Sequence, residues 1–170
     1  LPEAEHYLQI NAKTIQWNAS ANFSLDVIEF ESALQMNEQR PDSELASKQR
    51  DLEGAIALYS GDLLPSFDHE WVTHERERLR QRYLDTLDAL IRLLQLQNQN
   101  KAAIRYGRQL LQADNLREST YQSLMNLYKA EGVRKTAIQF YHHCMTALRE
   151  ELGIEPSQET QTLYQQLLNE

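Results

Sequence analysis

The residues that could carry chemistry are few. The chain of 170 residues holds five histidines and a single cysteine, Cys144. Glu70 and His74 stand four apart with His69 beside them, a spacing at which one helix presents two ligands to the same side. No HExxH and no paired CxxC accompanies them. His142 and His143 are adjacent, so on a helix they project about 100° apart and chelate poorly together. The histidines therefore read as surface side chains, and no metal is assigned. No nucleophile elbow, P-loop or dinucleotide glycine pattern is present, and five glycines leave no phosphate-cradling loop. Cys144 reads as a buried structural thiol, not a nucleophile. There is no catalytic set here, nothing that calls for a cofactor, and no enzyme is expected.

Charged and polar stripes are more informative. The most basic stretch is His74-Glu75-Arg76-Glu77-Arg78-Leu79-Arg80-Gln81-Arg82. Its interleaved glutamates favour a solvated, ion-paired helix face. The sharper reading is a contact with DNA phosphate or an acidic partner. Two further stripes, Asp85, Asp88, Arg92, Gln95 and Ser119, Gln122, Asn126, Lys129, each step by three and four residues and so share one helix face.

The elements that must position these stripes form a repeat. Ala103 and Ala137 are 34 residues apart, and at the same offset Leu87 meets Tyr121, Leu90 meets Leu124, Ile91 meets Met125 and Leu94 meets Tyr128. That is the period of the tetratricopeptide helix-turn-helix unit. The second helices align Ala103, Gly107, Leu110 with Ala137, Tyr141, Cys144. The repeat favours a small residue, an aromatic and a small residue there, so the first copy departs at Gly107 and Leu110. In such a unit the first helix turns one face to the core and the other to a concave groove. The two polar stripes lie opposite the apolar ones in the same register. The plain reading is a wet helix face. The functional reading is a groove holding a peptide or a neighbouring domain: Arg92 and Lys129 supply charge, Gln122 and Asn126 pair with an extended backbone, and Asp85 and Asp88 disfavour a strongly acidic ligand.

The rest of the chain supplies what the repeat needs for stacking. Tyr7–Ile10 and Thr14–Trp17 read as a β-hairpin. Asp26 with Glu29 offers a capping box for a first helix carrying Val27, Phe30 and Leu34. A second helix over about Ser43 to Tyr59 turns Leu45, Leu52, Ile56 and Tyr59 inward, with Gly61 as its C′ residue. Leu63, Leu64 and Pro65 read as a buried connection. Asp68 would cap a long helix to about Gln97, with a core stripe of Val72, Leu79, Tyr83, Leu87, Leu90 and Leu94. Helices follow at about 101–113, 118–131 and 134–151. Gly153 closes the last of these, and Ser157 caps a final helix with Leu163, Leu167 and Leu168. The expected fold is all-α: about seven helices in a tetratricopeptide-like stack of helical hairpins, with a short N-terminal β-hairpin.

Composition bounds the rest. Hydrophobic residues are 41% and charged residues 25%, an ordinary globular balance. The net charge of −8 argues against a nucleic-acid-binding surface covering this chain. A lone cysteine allows no internal disulfide and suits a reducing compartment such as the cytoplasm. No apolar run is long enough to span a bilayer. The chain does not begin with methionine and reads as a piece of something longer.

Several segments together resemble one family. They are Leu25-Asp26-Val27-Ile28-Glu29-Phe30-Glu31, then Leu58-Tyr59-Ser60-Gly61-Asp62-Leu63-Leu64 with Trp71 following, and Glu150-Glu151-Leu152-Gly153-Ile154-Glu155-Pro156. They resemble the bacterial transcriptional activator domain, an all-helical, tetratricopeptide-like module of winged-helix transcriptional regulators. The resemblance covers roughly Leu25 to Leu168. It implies that residues 1–24 are the closing β-hairpin of a preceding winged-helix DNA-binding domain plus linker, and that residues 25–170 are the activator module. It also implies a role in coupling that DNA-binding domain to protein partners, RNA polymerase or a second protomer among them, with DNA held only through the upstream domain. The hairpin carries one basic residue, Lys13, which is poor equipment for touching phosphate. The other reading is a tetratricopeptide adaptor unrelated to transcription.

Overall fold

A hairpin opens the chain in the computed structural model, which describes residues 7–11, 13–18, 20–21 and 24–169. Strands β1 (Leu8–Ile10) and β2 (Ile15–Trp17) pair antiparallel, with Leu8 opposite Trp17 and Ile10 opposite Ile15. Asn11 shapes the turn: its side-chain oxygen accepts from the backbone N–H of Lys13 at 2.9 Å and of Thr14 at 2.8 Å.

Seven helices follow among the described residues: α1 (Asp26–Gln39), α2 (Leu45–Leu58), α3 (Glu70–Leu96), α4 (Asn100–Ala113), α5 (Glu118–Ala130), α6 (Arg134–Leu152) and α7 (Gln158–Asn169). Consecutive helices pack against one another from α1 through α6, and α7 lies against both α5 and α6. This is the expected helical stack. One apolar cluster joins α1 to α4 around Phe30, Leu52, Leu79, Leu87 and Leu94, and a second joins α5 to α7 around Leu124, Ala137, Cys144 and Leu167. The apolar stripe expected on α3 is buried along its whole length, from Val72 to Leu94.

The repeat register holds in three dimensions. Ala103, Gly107 and Leu110 are all buried on α4, as Ala137 and Cys144 are on α6. The departure at Gly107 has a physical cause. A Cβ there would stand 2.8 Å from Leu124 Cδ2 and 3.1 Å from its Cγ, so glycine makes room for α5 to close on α4. At the matching place on α6, Tyr141 stacks on Tyr164 of α7 with ring centroids 3.9 Å apart. The two junctions are therefore filled differently, one by an aliphatic side chain over a glycine and the other by a ring pair.

Several local expectations need correction. Asp26 is the first helical residue, not the cap, and accepts from the N–H of Val27 at 2.8 Å; no side chain caps α1. Asp68 does not cap α3, whose cap position is His69 with no side-chain bond. α2 ends at Leu58, so Gly61 lies beyond its C′ position, with φ +149°. Leu168 is exposed, and Thr160 with Leu167 forms the buried side of α7. Gly153 does take the left-handed conformation at the end of α6 (φ 68°, ψ 23°), and the Ser157 Oγ accepts from the N–H of Thr160 at 3.4 Å.

The connection at 63–65 is not buried either: Leu63 is half-buried, and Leu64 and Pro65 are exposed. The loop wraps an arginine instead. Arg76 donates through Nε to the Leu63 carbonyl at 2.9 Å, and through Nη2 to those of Leu64 at 2.8 Å and Phe67 at 3.1 Å. Three carbonyls satisfied by one guanidinium hold the loop without burying its leucines.

Candidate partner-binding surface

Each polar stripe lies on the less buried side of its helix. On α3, Leu84, Leu87, Leu90, Ile91 and Leu94 face inward, while Asp85 and Arg92 are exposed and Asp88 and Gln95 half-buried. On α5, Tyr121, Leu124, Met125 and Leu127 face inward, while Ser119 and Asn126 are exposed and Gln122 and Lys129 half-buried. α4 packs against both helices and carries one stripe to the other. The contact that spans them is an ion pair between Asp85 Oδ1 and Arg117 Nη1 at 3.5 Å, just ahead of α5. Asp85 also accepts from Gln81 Nε2 at 2.8 Å, and Asp88 pairs with Arg92 along α3.

Gln122 is committed elsewhere. Its Nε2 donates to Thr160 Oγ1 at 2.7 Å, and Thr160 is fully buried on α7. This amide group therefore holds the terminal helix with one of its two N–H donors. Asp85, Arg92, Ser119 and Asn126 remain as the exposed members of the surface.

Glu118 completes that attachment. Its Oε1 accepts from the backbone N–H and the hydroxyl of Ser157, both at 2.7 Å. A carboxylate at the first turn of α7 meets unpaired N–H groups and the positive end of the helix. Burial pushes the Glu118 carboxyl up, but the bonds from Thr160 and Ser157 more than offset it, so the group sits below its ordinary value. At the other end of α7, Arg134 donates to the carbonyls of Leu167 and, at 2.6 Å, Leu168. Arg80 does the same for α4, reaching the Ala113 carbonyl at 2.6 Å. These attachments were not visible in the sequence, because the partners lie more than thirty residues apart and several are backbone groups.

The arginine run is thus largely internal. Beyond Arg76 and Arg80, Arg78 bridges Glu75 and Glu31, the latter at 2.6 Å, and Arg82 approaches Glu31 at 3.6 Å, tying α3 to α1. Near this tie lies a cleft of about 460 Å³ between the start of α1 and the loop after α2, lined by Val27, Phe30, Tyr59, Leu63 and Leu79 among others. Tyr59, one of its lining residues, stacks on Tyr83 with centroids 4.2 Å apart.

His74 stands 3.9 Å from Glu70 with both side chains exposed, and His142 and His143 pack edge-on against Tyr164 and Phe140. Among the described residues no group of three or more His, Cys, Asp or Glu side chains could hold a metal ion. Cys144 is fully buried, and that burial, with Glu118 nearby, pushes its thiol up to about 12. It stays protonated at neutral pH. Among the described residues no helix is long and apolar enough to cross a membrane.

Comparison with known proteins follows the same line. The family model described as bacterial transcriptional activator domain matches residues 25–168. Five solved chains match the fold. One is Mycobacterium tuberculosis EmbR in complex with low affinity phosphopeptide, with a TM-score of 0.67 at 17% sequence identity. The likeness covers 96% of the present chain and 43% of that one, so this chain spans less than half of EmbR's length. No curated protein matches.

Proposed function

The chain belongs to the bacterial transcriptional activator domain family, and we propose that it couples a DNA-binding domain to protein partners through the exposed polar face of α3 and α5. In this reading residues 1–24 are the remnant of a preceding winged-helix domain and its linker, and residues 25–170 form the activator module. The partner is RNA polymerase or a second protomer, and DNA is held by the upstream domain.

One observation carries the proposal. Two polar stripes recur at the repeat period on the solvent side of successive first helices, while the opposite sides of α3 and α5 are buried. In a stacked repeat such stripes form the extended surface used for recognition. Asp85, Arg92, Ser119 and Asn126 offer both signs of charge and neutral hydrogen-bonding groups, which suits a mixed-charge protein segment. Lys129 and Gln95 flank them. The −8 charge disfavours duplex DNA as the ligand.

The test is Arg92→Ala combined with Asn126→Ala in the intact regulator, read by a promoter reporter. Neither side chain is buried, so the denaturation midpoint moves by no more than the equivalent of about 0.5 kcal/mol. Activation falls by about fivefold, the loss of one or two good interface contacts. Normal activation by the double variant would remove this face from the mechanism.

A further inference from the structure

α4 presents a second surface of opposite character. Its sequence, Asn100–Ala113, contains no acidic residue, in a chain whose net charge is −8. Lys101, Arg105 and Arg108 step by four and three along it, and all three are exposed. The other arginines of the helical stack are largely absorbed by ion pairs or carbonyls, but these three have no carboxylate partner among the described residues. Arg105 lies over the Tyr106 ring at 4.7 Å, and Arg108 stands 6.0 Å from the Tyr128 ring centroid. α6 runs in the same acid-free manner from Arg134 to Arg149, with His143 exposed on its surface. Glu131, near Lys101 in a smaller recess, already accepts a hydrogen bond from Asn100 at 2.9 Å.

The surface carries shallow depressions as well as cations. A cleft of about 780 Å³ lies against Tyr83, Ile104, Arg105 and Gln109, and another of about 380 Å³ lies against Leu111, Tyr121, Phe140 and His143. Arg108 and Gln112 line both, so the two clefts adjoin at these side chains. We propose that this double cleft docks an acidic protein segment that also carries apolar side chains. The guanidiniums would pair with carboxylates, Gln112 with backbone, and the Ile104, Leu111 and Phe140 surfaces with the apolar residues. A guanidinium held over a ring is well suited to a carboxylate. A nucleic acid would meet the same cations but gains less from the aliphatic lining. This surface is separate from the α3–α5 face, so the two assignments stand or fall independently.

The probe is a fluorescein-labelled peptide of about twelve residues alternating glutamate with leucine and phenylalanine, titrated against the whole 170-residue chain by anisotropy. The unmodified chain binds it, and Arg105→Glu with Arg108→Glu weakens binding by at least about tenfold, with Arg105→Gln and Arg108→Gln giving a smaller loss of about threefold. Binding weakens as salt rises. The glutamine pair covers the case in which charge reversal disturbs folding, which a thermal melt of each variant reads. Equal affinity for the glutamine variant and the unmodified chain overturns the proposal. So does a labelled DNA duplex of equal length that binds more tightly than the peptide and loses that affinity in the same variants.

Discussion

Gly107 shows how a single residue sets the spacing of the stack. Leu124 sits where a side chain at position 107 would grow, with Cδ2 2.8 Å from the site of the missing Cβ. The repeat pattern favours an aromatic at this position, and substitution toward a repeat consensus commonly stabilises a protein. Here the geometry reverses that rule. Leu124 is fully buried and cannot swing into solvent, so Gly107→Tyr overpacks the α4–α5 junction. The gain from replacing a mid-helix glycine is only about 1 kcal/mol. The variant is therefore expected to lose about 2 kcal/mol net, read as a lower urea midpoint at unchanged slope. An unchanged or higher midpoint would show that α5 does not close on α4 at this point. Gly107 was legible in the sequence as a departure from the repeat. Its reason was not, because the residue that fills the space comes from the next helix.

At the scale of elements, α7 is the part whose attachment depends on pH. Ser157 and Glu118 share its N-terminus, and Arg134 takes carbonyls at its C-terminus. The Glu118 carboxyl is depressed by the bonds from Thr160 and Ser157 against the opposing effect of burial. The unfolded chain therefore binds this proton more readily than the folded one. The stabilisation is fully present above the ordinary carboxylate range and is lost as pH falls through the folded value. Glu118→Gln should lower the denaturation midpoint at about pH 7, and the gap to the unmodified protein should close toward about pH 3. A gap that stayed constant across that range would mean the carboxylate charge contributes nothing to docking.

Helix existence and order were legible from periodicity, since apolar residues at three- and four-residue spacing bury one face wherever they occur. Helix starts were less legible: Asp26 and Asp68 have the composition of caps, yet neither occupies the cap position. The candidate site divides in the same way. That Asp85, Arg92, Ser119 and Asn126 face solvent follows from their stripes. That Gln122 reaches Thr160 depends on where α7 folds back, which no local pattern states.

The whole molecule is a stack of helical hairpins with two polar surfaces of different charge and a set of arginines spent on holding it together. Its net charge and its exposed stripes favour contact with proteins over contact with DNA. In the proposed function residues 25–168 carry the coupling activity themselves. The most direct measurement is promoter output when residues 25–168 are fused to an unrelated bacterial DNA-binding domain and recruited to that domain's operator upstream of a reporter. Output about fivefold or more above the DNA-binding domain alone is expected, falling back when Arg92→Ala and Asn126→Ala are introduced. Output equal to the DNA-binding domain alone, from a fusion shown to be folded and to occupy the operator, would contradict it.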